Sequence, residues 1–194
     1  MTKILAIMAS PEIGGNTDTI LDNTLKKLPK NSYEKVILKN INIEYYSHEY
    51  KRPKKEETEF LELVEKIKKA DILLIATPTY NFGVPAKLKN LIDRIGYISL
   101  DYKKINRFGQ PTGILNKKTY FLVTGGANNF VQKFIFFLYP ILWLKAIFTY
   151  YGGKNIGKIY IGGLDYTHHI KNPENKSRLN KITDKISDKL KKYL

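Results

Sequence analysis

A doubly wound α/β sheet is the fold class the sequence predicts, and three observations carry it. Short apolar runs rich in β-branched residues alternate with longer segments of helical period, as in a parallel sheet covered on both faces. Irregular turns rich in glycine, proline, asparagine and threonine follow the first and third runs, where a sheet of order 2-1-3-4-5 has its switch point and binds ligands. The chain has 194 residues, 43% hydrophobic and 26% charged, enough to bury a substantial core in one domain spanning 1–194.

The first strand is expected over Lys3–Met8, the run KILAIM, which leads into the stretch MASPEIGGNTDTI. Ile20, Leu21, Leu25 and Leu28 then recur at helical spacing and predict a helix over Thr17–Leu28. A strand that feeds a helix through Gly, Ser, Asn and Thr aims backbone N–H groups and hydroxyls at one point, which suits phosphate. Taken alone, the same residues also fit an ordinary β-to-α turn. Further strands are expected at Glu34–Leu38, Ile72–Ala76, Lys118–Thr124 and Ile156–Ile161, and further helices at Thr58–Lys69, Pro85–Ile98, about Phe130–Tyr151 and Pro173–Tyr193. Asn172 is a natural N-cap for the last helix, with Pro173 at its first position and Leu179, Ile182, Ile186 and Leu190 as its apolar stripe. Two long connections, NINIEYYSHEYKRPKKE and SLDYKKINRFGQPTGILNKK, read as loops of the kind that form lids, binding loops or interface arms. The aromatic-rich segment from Phe130 to Tyr151 reads as a core or subunit-interface helix, kinked or divided at Pro140.

Composition excludes several chemistries. The chain has no cysteine, so disulfides, thiolate zinc sites, cysteine-ligated clusters and cysteine nucleophiles are ruled out. His48, His168 and His169 show no metal-ligand spacing, and no metal site is expected. The run Phe134–Leu144, interrupted by Pro140, falls short of the about 20 apolar residues of a membrane span. The first residues carry one lysine and a short apolar run, so no cleaved signal peptide is expected, and a cytoplasmic location fits. A net charge of +15 favours anionic partners, yet arginine occurs only at 52, 94, 107 and 178, whereas base and phosphate recognition leans on its fork. The lysines read as a solvated surface, with no nucleic-acid partner. Asp93 and Arg94 read as surface or packing polarity. GxGxxG, Walker, HExxH and GxSxG motifs are absent.

The loop after the third strand, ATPTYNFGVPAKLKNLIDRIG, offers irregular backbone, and its Tyr80 and Phe82 give aromatic surface to a planar ligand. TGGANN, from Thr124 to Asn129, adds glycines that let backbone approach a ligand closely. With the phosphate-shaped first turn, these loops describe a flavin mononucleotide (FMN) pocket better than a dinucleotide site. The block PTYNFGVPAKLKNLIDRIG closely matches the isoalloxazine-binding loop and following helix of the flavodoxin-like NAD(P)H-dependent FMN oxidoreductases, a group of azoreductases, quinone reductases and FMN reductases that this chain resembles. GQPTGILNKKTYFLVTGG and SPEIGGNT extend the resemblance through most of Met1 to Gly126, and more loosely beyond.

The resemblance implies a flavodoxin-like fold with bound FMN and with NADH or NADPH as co-substrate. It implies that Ser10, Asn16 and Thr17 hold the phosphate, that Pro78, Thr79, Tyr80, Asn81 and Phe82 line the ring, and that Thr124, Gly125 and Gly126 meet its pyrimidine edge. Backbone donors from Asn81 to Gly83 and from Gly125 to Gly126 are expected to stabilise the reduced ring. Hydride passes through flavin N5 to a quinone, azo, nitroaromatic or flavin acceptor, and no side-chain acid or base is required. Relatives commonly form homodimers, in which Tyr102 and Phe130 are expected to shape the nicotinamide and acceptor pocket. Glu12 departs from the family pattern, standing where many relatives carry a basic residue, and an acid there repels a phosphate dianion unless it points into solvent. Two other readings stay open. One is a flavodoxin-like electron carrier, a class usually acidic; the other is a basic nucleic-acid or membrane-surface module on the same fold.

Overall fold

The computed structural model describes residues 3–47, 52–134, 138–164 and 173–194. In chain order the elements are β1 (Ile4–Met8), α1 (Asn16–Leu25), β2 (Tyr33–Ile37), a 3-10 turn (Leu38–Asn40), α2 (Thr58–Lys69), β3 (Ile72–Pro78), α3 (Ala86–Arg94), α4 (Gly96–Ser99), β4 (Leu100–Ile105), β5 (Pro111–Gly113), β6 (Lys118–Thr124), α5 (Asn129–Phe134), α6 (Tyr139–Tyr150), β7 (Lys154–Ile161) and α7 (Pro173–Lys191). Five strands form one parallel sheet in the spatial order β2-β1-β3-β6-β7. Set the β4–β5 hairpin aside, and this is the sheet the periodicity predicts. The chain leaves β1 and β3 in opposite directions, which places a switch point beyond their carboxyl ends.

The inner strands read as unbroken apolar runs because both of their faces are covered. β1 and β3 are buried at every residue. Side chains alternate across the sheet, so Leu5, Ile7, Leu73, Ile75, Phe121 and Val123 pack beneath α2, α3 and α6, against Phe60, Leu88 and Phe148. Ile4, Ala6, Met8, Leu74 and Leu122 face the other way, onto Ile20, Leu21 and Leu25 of α1 and Leu179, Ile186 and Leu190 of α7. Each fully buried large side chain contributes about 1.5–3 kcal/mol relative to exposure. Helix α2 covers the predicted Thr58–Lys69 and buries Phe60, Leu63, Val64 and Ile67 at 3.6-residue spacing. Among the described residues no helix is long and apolar enough to cross a membrane.

Several expectations are corrected. The connection SLDYKKINRFGQPTGILNKK is not simply a loop, because β4 and β5 pair within it as an antiparallel hairpin. Gly113 closes that hairpin onto the end of α6: a Cβ there would lie 2.2–2.5 Å from the backbone of Tyr150, Tyr151 and Gly152, so only glycine permits the approach. The helix expected over Pro85–Ile98 divides into α3 and α4 at Ile95 and Gly96, glycine being a poor interior helix residue. The segment from Phe130 to Tyr151 also divides. Leu138 sits at φ 53°, and α6 starts at Tyr139, with Pro140 in the first turn, where its missing N–H costs nothing. The break therefore precedes Pro140.

Of the two roles expected for Arg94, surface or packing polarity, the structure gives it the packing one. The residue is fully buried; its Nη2 donates to both Glu57 carboxylate oxygens, at 2.9 and 2.7 Å, while Nη1 donates to the Glu44 carbonyl at 2.8 Å and the guanidinium stacks over Phe60. Asp93, its neighbour, pairs with Lys89 one turn back on the same helix. Asn90 accepts from the Tyr46 amide and donates to the Glu44 carbonyl. Together these groups fasten the long connection after β2 to α3. His48, His168, His169 and the Asn172 cap lie outside the described residues.

Candidate functional site

The site is assembled by three strand ends. Met8 ends β1, and Ala9 continues the ladder by donating to the Ala76 carbonyl at 2.8 Å. The chain then turns through Ser10 to Gly15, with Gly14 at φ 76°, a left-handed conformation that favours glycine. Within the turn the Glu12 amide donates to Ser10 Oγ at 3.1 Å and the Gly14 amide donates to the Asp18 carboxylate at 2.8 Å. Lys35 from β2 clamps that same carboxylate. Gly15 caps α1 and lends no side-chain hydrogen bond, so the first-turn amides of a ten-residue helix face the turn.

The other two strand ends lock onto this one. Thr17 Oγ1 and Thr124 Oγ1 lie 2.6 Å apart and buried, joining the start of α1 to the end of β6. The Thr79 amide donates to the Thr124 carbonyl at 2.7 Å, joining β3 to β6. Between them lies a cavity of about 130 Å³, lined by Ser10, Asn16 and Thr17, by Pro78 to Tyr80, and by Thr124 to Gly126. Glu12 and Leu164 complete the lining. Nine of the twelve residues expected to bind the cofactor thus converge on one cavity.

The remaining three form its rim. Tyr80 and Gly83 exchange two backbone hydrogen bonds, of 3.0 and 2.8 Å, with Asn81 at φ 47° and Phe82 at φ 65° between them. Positive φ at both central residues marks a type I′ turn. Asparagine tolerates that region, but a bulky phenylalanine there is strained, and such strain collects at functional sites. Phe82 is 53% exposed, so burial of its ring does not account for the conformation.

Do these residues fit a flavin mononucleotide? Thr79 Oγ1 lines the cavity, buried and without a hydrogen-bond partner among the described residues, which is the condition of a group kept for a ligand. A Cβ added at Gly126 meets nothing nearer than the Leu164 carbonyl at 3.8 Å, so its backbone stands open to close approach. At about 130 Å³ the cavity takes a phosphate and part of a polyol chain, and a flat ring would lie out on the Tyr80–Gly83 rim. One residue works against the phosphate. The Glu12 carboxyl packs on Gly15 so closely that a Cβ there would stand 2.7 Å from it, at the helix terminus itself.

Gly125 rests on Tyr160, whose hydroxyl donates to the Ala127 carbonyl at 3.0 Å, and burial raises the Tyr160 pKa. The phenol is a fixed prop under the loop. Leu164, beyond β7, was missed by sequence reasoning, because a leucine after two glycines carries no signal of a site. Tyr102 and Phe130 are not on this cavity within one chain. Tyr102 instead lines a separate cavity of about 690 Å³ with Tyr46, Tyr97, Tyr150 and Tyr151, and Phe130 is 67% exposed on α5.

Comparison with known proteins bears on this geometry. Residues 2–148 match the sequence pattern of the NADPH-dependent FMN reductase family. The chain belongs to that family. An FMN-dependent NADH:quinone oxidoreductase of Thiobacillus denitrificans is 41% identical over 92 residues, covering 47% of this chain and 43% of the relative. The chain spans about half the length of the curated relatives it matches. Among solved structures, an FMN-dependent NADH-azoreductase from Bacillus anthracis in complex with FMN superposes with a TM-score of 0.69 at 17% identity, over 96% of this chain and 100% of that one. An NAD(P)H:quinone oxidoreductase from Methanothermobacter marburgensis gives 0.70 at 21% identity, over 93% and 94%. At these identities the two structures show a shared fold.

Proposed function

We propose that this chain is an FMN-dependent oxidoreductase that oxidises NADH or NADPH and reduces a small acceptor, a quinone, azo compound, nitroaromatic or free flavin. The observation that carries the reading is the meeting of three strand ends, Thr17 against Thr124 and Thr79 beside both, around a cavity with an unpartnered buried hydroxyl. Family membership supports it, as do relatives named FMN-dependent NADH:quinone oxidoreductase.

In this reading Ser10, Asn16, Thr17 and the first-turn amides of α1 hold the phosphate. Tyr80 and the strained turn through Gly83 present one side of the ring binding surface, and Thr124 to Gly126 present backbone groups to the other edge. Bound FMN supplies the two-electron chemistry. The chain orients the ring, leaves one face open, and sets fixed backbone donors where negative charge develops. One domain in the cytoplasm, where nicotinamide nucleotides are abundant, fits the reading.

A homodimer belongs to the proposal too. α6 buries Ile141, Leu144 and Phe148 inward yet turns Tyr139, Leu142 and Ala146 outward beside Lys145 and Thr149, and so much apolar surface on the outer face calls for a second cover. The partner brings its own Tyr102 and Phe130 toward the acceptor.

Visible absorbance of the purified protein, before and after incubation with FMN, tests cofactor binding. Anaerobic addition of NADH or NADPH, followed by a quinone and then an azo dye, tests donor and acceptor. Bleaching by either nucleotide is expected. Colour without bleaching, with reduction only by a protein reductase, would sink the enzyme and leave an electron carrier.

A further inference from the structure

A second hollow adjoins the FMN cavity and shares Ser10 and Tyr80 with it as a common wall. It measures about 260 Å³ and is the more apolar of the two. Besides that wall, Ala9, Pro11, Leu38, Pro85 and Ala86 line it, together with Lys39 and Lys87. We infer that this slot receives the adenosine diphosphate end of the nicotinamide nucleotide, with the base against the apolar walls and the phosphates between Lys39 and Lys87. The inference rests on the proposed oxidoreductase reading and deepens it.

Three features argue for that occupant. The hollow has room for a purine with its sugar and is lined mainly by apolar surface, with Tyr80 among its residues. Its charged groups are all cationic. Lys87 donates to the Lys39 backbone carbonyl at 2.7 Å, which holds the Lys87 ammonium beside residue 39. The slot also opens on the N-terminus of α3, a nine-residue helix with no acid in its first turn, whose amides add positive potential. Burial lowers the Lys87 amine from its usual range, with Glu59 as a weaker opposing influence. The shared Tyr80 wall leaves the nicotinamide end of the same molecule on the flavin side, where it is needed.

The test uses FMN-loaded protein. Lys39→Gln, Lys87→Gln and the double variant are compared with wild type in steady-state oxidation of NADH and NADPH at a fixed saturating quinone. The expected result is a rise of roughly 10-fold or more in KM for the nucleotide in the double variant, with kcat changed less than about 2-fold and FMN affinity unchanged. ADP should compete with the nucleotide in wild type and lose that competition in the double variant. Lys181→Gln/Lys185→Gln, an exposed pair on α7 across the sheet, controls for the loss of two positive charges. An equal KM rise in that control overturns the slot, as does unchanged KM in the double variant or failure of ADP to compete. Failure of wild type to oxidise either nucleotide would instead remove the oxidoreductase reading.

Discussion

Two residues in the candidate site run against its apparent purpose, and each yields a measurable consequence. Glu12 places a carboxyl on Gly15 at the start of α1, where a phosphate dianion is expected. Coulomb repulsion between groups this close weakens FMN binding unless the side chain swings out. Glu12→Gln should tighten FMN by roughly 5-fold at low salt, and by less at high salt, because screening removes the same repulsion. Fluorescence titration of FMN at two ionic strengths checks it, and equal affinities at low salt would show that Glu12 already points away. Phe82 is the other. Its left-handed backbone at φ 65° costs a bulky residue of order 1 kcal/mol that glycine does not incur. Phe82→Gly should therefore raise the melting temperature of the apoprotein by a few degrees while weakening FMN binding and nucleotide oxidation. A lower melting temperature would mean that the ring's contacts outweigh the strain. Serine, asparagine and threonine on the first turn were legible as a phosphate loop because their chemistry is local. The orphaned Thr79 hydroxyl was not, since only packing reveals which polar groups are left without partners.

The Arg94–Glu57 pair decides how one element is held. The pair joins α3 to the connection after β2, and both residues are almost wholly buried. Burial pushes the Glu57 carboxyl up, but the Arg94 guanidinium and the Lys54 and Glu44 amides outweigh it and hold the group below its ordinary 4.5. A carboxyl with a depressed folded pKa contributes stability that is complete above about pH 4.5 and is lost as pH falls through the lower folded value. Arg94→Met should cost about 3–5 kcal/mol at pH 7, because it strands a buried carboxylate. The double variant Glu57→Leu/Arg94→Met should recover most of that loss and show a shallower decline in melting temperature from pH 5 to pH 3. A double variant as unstable as the single one would mean that packing and the backbone hydrogen bonds, not the ion pair, hold the connection. The sequence could not have shown this. An arginine next to an aspartate on an amphipathic helix looks like surface polarity, and its partner lies 37 residues away across an irregular segment. The β4–β5 hairpin was hidden for a related reason, since LDYKKI and PTG lack strict apolar alternation, and what stabilises the hairpin is the seat of Gly113 on α6. α2 was readable to the residue because one face of it alone is buried.

At the scale of the whole molecule, charge and apolar surface pull in opposite directions. The chain carries +15, and no acidic residue occurs from Tyr102 to Leu164, the stretch that runs from within β4 through β5, α5 and α6. The outward residues of α6 are nonetheless largely apolar, with Tyr139 57% and Leu142 45% exposed. Two copies joined through that face gain apolar burial that salt does not weaken, while their like charges repel over a screening distance of about 10 Å at 0.1 M salt. Association should therefore tighten as ionic strength rises from about 0.05 to 0.5 M. Encounter with an anionic nucleotide should follow the opposite sign, since steering by a positive surface fades with salt. Sedimentation velocity and stopped-flow reduction in one buffer series would separate the two effects: dimer fraction up, second-order rate constant down. Leu142→Lys puts a further charge on the face and should shift the chain to monomer at every salt concentration. A wild-type chain that stays monomeric throughout the series, or a Leu142→Lys variant that dimerises as well as wild type, would show that something other than a second copy covers α6.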